Sequence, residues 1–176
     1  VGGGTIQDAA TLVASLYMRG ITWSYVPSTP MSMLDSCIGG KSSINVAGIK
    51  NLVGNIYPPD EVLIDHSLAR KVERSAVVSG LSEAVKISFA RGAQSFFDYL
   101  QLAPQVPEFG RDGRTLDLIM HVLSDKRWFI EVDEFDNNER QLLNFGHTYA
   151  HAIEASTHFR VAHGTAVGVG MLAATH

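Results

Sequence analysis

Asn144-Phe145-Gly146-His147-Thr148-Tyr149-Ala150-His151 sets two histidines four residues apart inside a stretch, Glu139 to Ser156, whose apolar spacing predicts a helix. On a helix that spacing puts both imidazoles on one face, as metal chelation or anion binding requires. Helical spacing recurs around it, over Ala76 to Phe89, Ala93 to Leu100, Leu116 to Val132 and Thr165 to Ala174. From about Ser67 onward the chain therefore reads as helical. The segment from Pro104 to Gly113, with two Pro and two Gly, reads as a loop between helices.

Upstream the pattern changes. Gly2-Gly3-Gly4 leads into an Ala/Leu-rich run to Arg19, a glycine turn feeding a helix whose first amides can approach a phosphate. It is not the spaced Gly-x-Gly-x-x-Gly of dinucleotide folds. Ile21 to Val26 and Val62 to Asp65 read as short strands beside proline pairs, with a polar loop between them. The expected fold is α+β: an α/β segment over 1–66 and a mostly α-helical domain over 67–176. The first residue is Val1 and the last stretch is apolar without a cap, so the chain reads as part of a longer protein.

Composition narrows the partners. The chain has 176 residues, 18% of them charged, against roughly 25% in an average soluble domain, which suggests surface covered by a second subunit or by further chain. A net charge of -4 and the lack of a basic run argue against nucleic acid. One cysteine, Cys37, excludes an internal disulfide framework, and no apolar run is long enough for a membrane span. A cytoplasmic setting fits.

Three clusters carry possible chemistry. His163, in a loop before the last helix, can return over the face of His147, and Glu83 lies in the otherwise apolar Gly80 to Lys86 stretch. One Glu and two His form a three-ligand zinc site with an open position, although an ion pair from Glu83 to Lys86 would equally account for the carboxylate. The second cluster runs from Asp35 through Gly39-Gly40-Lys41-Ser42 to Lys50-Asn51. A P-loop would need glycine at residue 35, where Asp35 stands, so a small anionic, hydroxylated ligand is the better fit. The third comprises Lys126, Asp133, Glu134, Glu139 and Arg140. Arg140, two turns before His147, shares its face if the helix begins that early, while the acidic residues read as a solvated helix end.

Taken in order, the chain carries Gly-Gly-Gly-x-x-x-Asp from Gly2, Tyr-Met-Arg-Gly from Tyr17, Val-Pro-Ser-Thr from Val26 and Asp-Ser-x-x-Gly-Gly-Lys from Asp35. Lys-Asn-x-x-Gly from Lys50, Gly-Leu-x-Glu-x-x-Lys from Gly80, Leu-Leu-Asn-x-Gly-His-Thr-x-x-His-Ala-Ile-Glu from Leu142 and His-Gly-x-Ala-Val-x-Val-Gly-Met from His163 follow. The set resembles 3-dehydroquinate synthase, a sugar phosphate cyclase family whose members are about twice as long. The resemblance implies conversion of a seven-carbon keto-acid sugar phosphate to 3-dehydroquinate in the shikimate pathway, with loss of phosphate and catalytic use of NAD. It implies zinc, or cobalt, on Glu83, His147 and His163. It further implies substrate chemistry at Asp35, Lys41, Asn51, Lys86, Lys126, Arg140, Asn144 and His151, and NAD along Gly2, Gly3, Gly4, Asp8, Ser28, Thr29 and Lys50. Arg19 matches a residue that reaches the neighbouring subunit's phosphate, implying a homodimer.

The chain departs from the family pattern at Ser28, at Val46-Ala47-Gly48-Ile49, and at Thr165, where the family commonly has a glutamate able to support the metal site. Cyclases that make deoxyinososes or valiolones, a metal-dependent alcohol dehydrogenase and a non-catalytic metal-binding fragment are the alternatives.

Overall fold

The computed structural model describes the chain except residues 48, 104, 106 and 107 and the side chain of Lys50. Helix α1 (Gly4–Leu16) buries Gln7, Thr11 and Ala14, spaced four and three apart, on one face. It ends where Met18, Arg19 and Gly20 take positive φ in succession and reverse the chain. The expected strands shrink to β1 (Ser24–Tyr25) and β4 (Glu61–Val62), which pair in parallel.

The loop expected between them is instead an antiparallel hairpin, β2 (Lys41–Val46) and β3 (Ile49–Ile56), in register from Lys41 opposite Ile56 to Ile44 opposite Val53 and shifted where Val46 meets Ile49. Its strand pattern is weak because neither face is continuously apolar, and the ladder is interrupted by an irregularity between Ile44 and Val46. The hairpin is held on α1 through polar groups: Asn55 donates to Ser15 Oγ, and Ser43 N donates to Asp8 Oδ1 at 3.2 Å.

The helical part consists of α2 (Arg74–Arg91), α3 (Ala93–Leu102), α4 (Gly113–Val132), α5 (His147–Ser156) and α6 (His163–Ala174). Strands are absent there among the described residues, as expected. A core of Met33, Leu34, Val77, Ile87, Leu118, Ile119, Val122 and Phe129 joins α2 and α4 to a wide-turned π-helix, Ser32–Ser36. On α4, buried Thr115, Leu118, Ile119, Val122, Asp125, Lys126 and Phe129 recur at helical spacing, and Asp112 caps the start by accepting from Thr115 N. No helix among the described residues is long and apolar enough to cross a membrane.

The single helix expected over Glu139 to Ser156 is broken. A 3-10 helix, Glu139–Asn144, ends at extended Phe145 and at Gly146, whose φ of 79° belongs to the left-handed region. A side chain is excluded at Gly146, since a Cβ would lie 2.7 Å from Met171 N. Arg140 therefore does not share a helical face with His147, and it approaches from the 3-10 helix before the break. Gly170 lets α6 close on this turn, for a Cβ there would lie 2.2 Å from Gly146 O. On an exposed helix Gly→Ala stabilises by about 1 kcal/mol. Here Gly170→Ala is expected to destabilise by about 1–3 kcal/mol through overpacking, read from urea unfolding; a gain in stability would contradict the contact.

Candidate metal centre and anion pocket

Three elements bring a ligand set together. Glu83 comes from the buried face of α2, and His147 and His163 are the first residues of α5 and α6. One ligand atom from each lies within 4.8 Å of the others. Glu83 is 1% exposed; its Oε2 accepts from Lys86, while Oε1 is buried with no hydrogen-bond partner among the described residues, 3.6 Å from His163 Nε2. The ion pair to Lys86 is thus present on one oxygen, and the other oxygen is left without a hydrogen-bond donor. Burial, then Lys86 and His163, push the His147 imidazole down to about 4, leaving it neutral and able to ligate at neutral pH. An orphaned buried carboxylate oxygen beside a neutral imidazole is a donor set that fits a cation such as zinc.

The other ring nitrogens are turned outward. His147 Nδ1 stands 3.4 Å from Phe145 O, and His163 Nδ1 stands 3.0 Å from Glu154 Oε1. His151 is exposed, its ring 5.7 Å from that of His147 and 6.3 Å from that of His163. It lies beside the triad, not within it.

Next to His147 opens a cavity of about 150 Å³. Asp35, Lys41, Lys86, Lys126, Arg140 and Asn144, all expected from the sequence, line it with His147; Asp136 and Leu143 were not expected there. Lys126 Nζ is 2.7 Å from Asp35 Oδ1, and Lys41 Nζ is 2.6 Å from Asp136 Oδ2. Arg140, 3% exposed, donates to Glu134 O at 2.6 Å and to Gly39 O at 3.2 Å, tying the glycine loop to the helical part. Asp133, expected on a solvated end, is buried and accepts from the backbone amides of Asn137, Asn138 and Arg140, shaping the turn that delivers Arg140. Four cations against two carboxylates make the cavity suited to a ligand with several negative charges.

The other expected positions lie apart. Gly2, Gly3 and Gly4 open α1 beside Ser28 and Thr29: Ser28 N donates to Gly2 O at 3.0 Å, and a Cβ on Gly3 would lie 2.7 Å from Thr29 Cγ2. Asp8, one turn on, has its carboxyl raised by burial, a shift opposed by the Ser43 amide. Asn51 sits near the hairpin tip with φ of 56°, bonded to Ser43 and Asn45, outside the cavity lining. The Lys50 side chain lies outside the described residues. Arg19 is exposed at the far end of α1 and lines no part of the cavity. Thr165 lines an apolar cavity shared with Val85, Phe89 and Phe145, and a carboxylate from elsewhere in the chain, Glu154, stands beside His163.

Burial would raise the Asp35 carboxyl, but Lys126 and Lys86 hold it at about 2, below its ordinary 3.8. Between those values the unfolded chain binds more protons, so this contribution to stability is complete above about pH 4 and is lost as the pH falls towards 2. Lys126→Met is expected to move the acid unfolding midpoint upward, followed by circular dichroism; an unmoved midpoint would contradict the pairing.

Residues 1–79 match the family model described as 3-dehydroquinate synthase N-terminal, and residues 80–176 match 3-dehydroquinate synthase C-terminal. A 3-dehydroquinate synthase of Dictyoglomus thermophilum is 38% identical over 180 residues, 99% of this chain and 49% of the relative. That of Streptomyces coelicolor is 38% identical over 171 residues, 97% and 47% of the two chains. The chain thus spans about half the length of the curated relatives it matches. Among solved structures, 2-deoxy-scyllo-inosose synthase complexed with carbaglucose-6-phosphate, NAD+ and Co2+ superposes with a TM-score of 0.88 at 29% identity, over 98% of this chain and 47% of that one. The 2-epi-5-epi-valiolone synthase ValA from Streptomyces hygroscopicus subsp. jinggangensis, with NAD+ and Zn2+ bound, gives 0.84 at 27% identity over 97% and 48%. Matched along its whole length by the two models, the chain belongs to the 3-dehydroquinate synthase family.

Proposed function

We propose that the protein carrying this chain is a 3-dehydroquinate synthase. It is a carbon-oxygen lyase that converts 3-deoxy-D-arabino-heptulosonate 7-phosphate to 3-dehydroquinate with release of phosphate, using NAD and zinc. The observation that supports this most is the adjacency of the Glu83, His147 and His163 cluster to a cavity lined by four cations. A substrate with both a phosphate and a carboxylate needs several cations in one place, and a hydroxyl to be oxidised needs a Lewis acid beside it. When bound, zinc supplies that Lewis acid and NAD accepts and returns a hydride.

The chain's own residues bind and orient. Lys41, Lys86, Lys126 and Arg140 neutralise the two anionic groups, and Arg140, fixed by two backbone carbonyls, offers a rigid fork. Asp35, held ionised, accepts from a ring hydroxyl, and Asn144 and His151 reach the substrate from the rim. The departing phosphate can take the proton lost in elimination, so no strong protein base is required. Gly2, Gly3, Gly4, Asp8, Ser28 and Thr29 form the NAD edge, completed by Lys50 and by residues outside this chain, and Asn51 is assigned to the substrate. On this reading 1–66 belongs to the cofactor domain and 67–176 to the metal domain, the protein is cytoplasmic, and Arg19 serves the partner's site in a homodimer.

Identities of 35–39% to the curated 3-dehydroquinate synthases, against 27–29% to the solved deoxyinosose and valiolone synthases, favour the first substrate over the rivals. The test is phosphate release by the longest natural protein that carries this sequence, supplied with zinc and NAD. The expected result is release from the seven-carbon keto-acid phosphate without net NADH. Release only from sedoheptulose 7-phosphate or glucose 6-phosphate would indicate another cyclase. Stoichiometric NADH would indicate an alcohol dehydrogenase, and no turnover a metal-binding relative. Arg140→Ala is expected to weaken substrate binding on the order of 10–100-fold, the worth of a hydrogen bond to a charged group, while zinc content stays unchanged; unchanged substrate affinity would refute its anion role.

A further inference from the structure

We infer that Glu154 is a positioning residue for the metal centre: its carboxylate holds His163 with the proton on Nδ1, so that Nε2 is presented as the ligand. The inference rests on the reading that Glu83, His147 and His163 bind zinc.

Glu154 is 5% exposed although it is an acid near the end of a short helix. Its Oε1 lies 3.0 Å from His163 Nδ1, while Nε2 of the same ring points to the orphaned Glu83 Oε1 at 3.6 Å. The ring thus lies between two carboxylates, with Nδ1 beside Glu154 and Nε2 beside Glu83. Glu154 stands two turns after His147 on α5 and so shares its face. The backbone of the same residue anchors the return of the chain, since Phe159 N donates to Glu154 O at 2.8 Å after His158 and Phe159 take positive φ. One residue therefore sets both the distance from α5 to α6 and the orientation of the first side chain of α6. His147 has a weaker arrangement, a neutral carbonyl 3.4 Å from its Nδ1. A charged partner also makes the ligating nitrogen more basic.

The test uses the longest natural protein that carries this sequence and measures zinc content and affinity by competition with a chromophoric chelator. Wild type is expected to bind one zinc per chain and His147→Ala to lose it. A wild type without zinc, or a His147→Ala variant that keeps it, defeats the underlying reading whatever Glu154 does. With that reading upheld, Glu154→Gln, which keeps size and an acceptor but drops the charge, and Glu154→Ala are expected to weaken zinc by about 10- to 100-fold, while affinity within about twofold of wild type in both overturns the inference. The unfolding transition in chelator is measured alongside, to separate loss of metal from loss of fold. If either variant fails to fold, the ring 15N shifts of His163 in the zinc-loaded wild type decide. A proton on Nδ1 and metal on Nε2 is expected; metal on Nδ1 overturns the inference.

Discussion

The helical part is organised around charges that cannot be buried unless they are paired. Glu83 and Lys86 lie on the inner face of α2, Lys126 on the inner face of α4, and Arg140 in the turn before α5, each less than a tenth exposed. Stripped of water, each would cost several kcal/mol if left without a partner. Their mutual approach fixes the geometry: Lys126 draws in Asp35 from the π-helix, Lys86 takes one oxygen of Glu83, and Arg140 reaches across to the carbonyl of Gly39. The Lys126 and Arg140 contacts bring together elements distant in sequence and hold the glycine loop against the helices, while Lys86 and Glu83 pair within α2. The cavity is the space these groups share.

Replacing such a set by apolar residues would often be no worse for stability. The arrangement makes sense as a binding device. The two oxygens of Glu83 face different neighbours, Lys86 on one side and His163 on the other, and burial beside Lys86 keeps the His147 ring neutral. The cations beside it are then available to an anionic ligand without a proton being taken up by that imidazole. Small residues make this closeness possible, since α6 approaches α2 at Gly164, whose amide donates to Ser79 Oγ at 2.9 Å, and approaches the α5 entry at Gly170.

Much of this was legible in the sequence because side-chain type and helical spacing carry it. Glu83 and Lys86 stand out as charges in an apolar run, and His147 and His163 bracket a helix and a loop. Other features depend on tertiary geometry. The hairpin over Lys41 to Ile56 is held by polar side chains and the flank of α1, so its strands lack the alternation that marks half-buried sheet. The break at Gly146 is imposed by contact with Met171, which no local pattern announces. Asp136 sits in an acidic run that reads as solvated, and Glu154 belongs to the His-Ala-Ile-Glu motif without a role that its sequence position alone conveys. Two-turn spacing from His147 was the available signal for Glu154. The Arg19, Lys50 and Asn51 roles depend on a partner subunit, a cofactor or a ligand, and no local pattern conveys these.

The central claim is that one cation held by Glu83, His147 and His163 borders the four-cation cavity. Zinc-edge anomalous diffraction from crystals of the longest natural protein that carries this sequence tests it directly. The account requires one anomalous peak about 2.0–2.2 Å from Glu83 Oε1, His147 Nε2 and His163 Nε2, the usual zinc–oxygen and zinc–nitrogen distances. A peak elsewhere, or zinc-loaded crystals with no peak among these three residues, would contradict it.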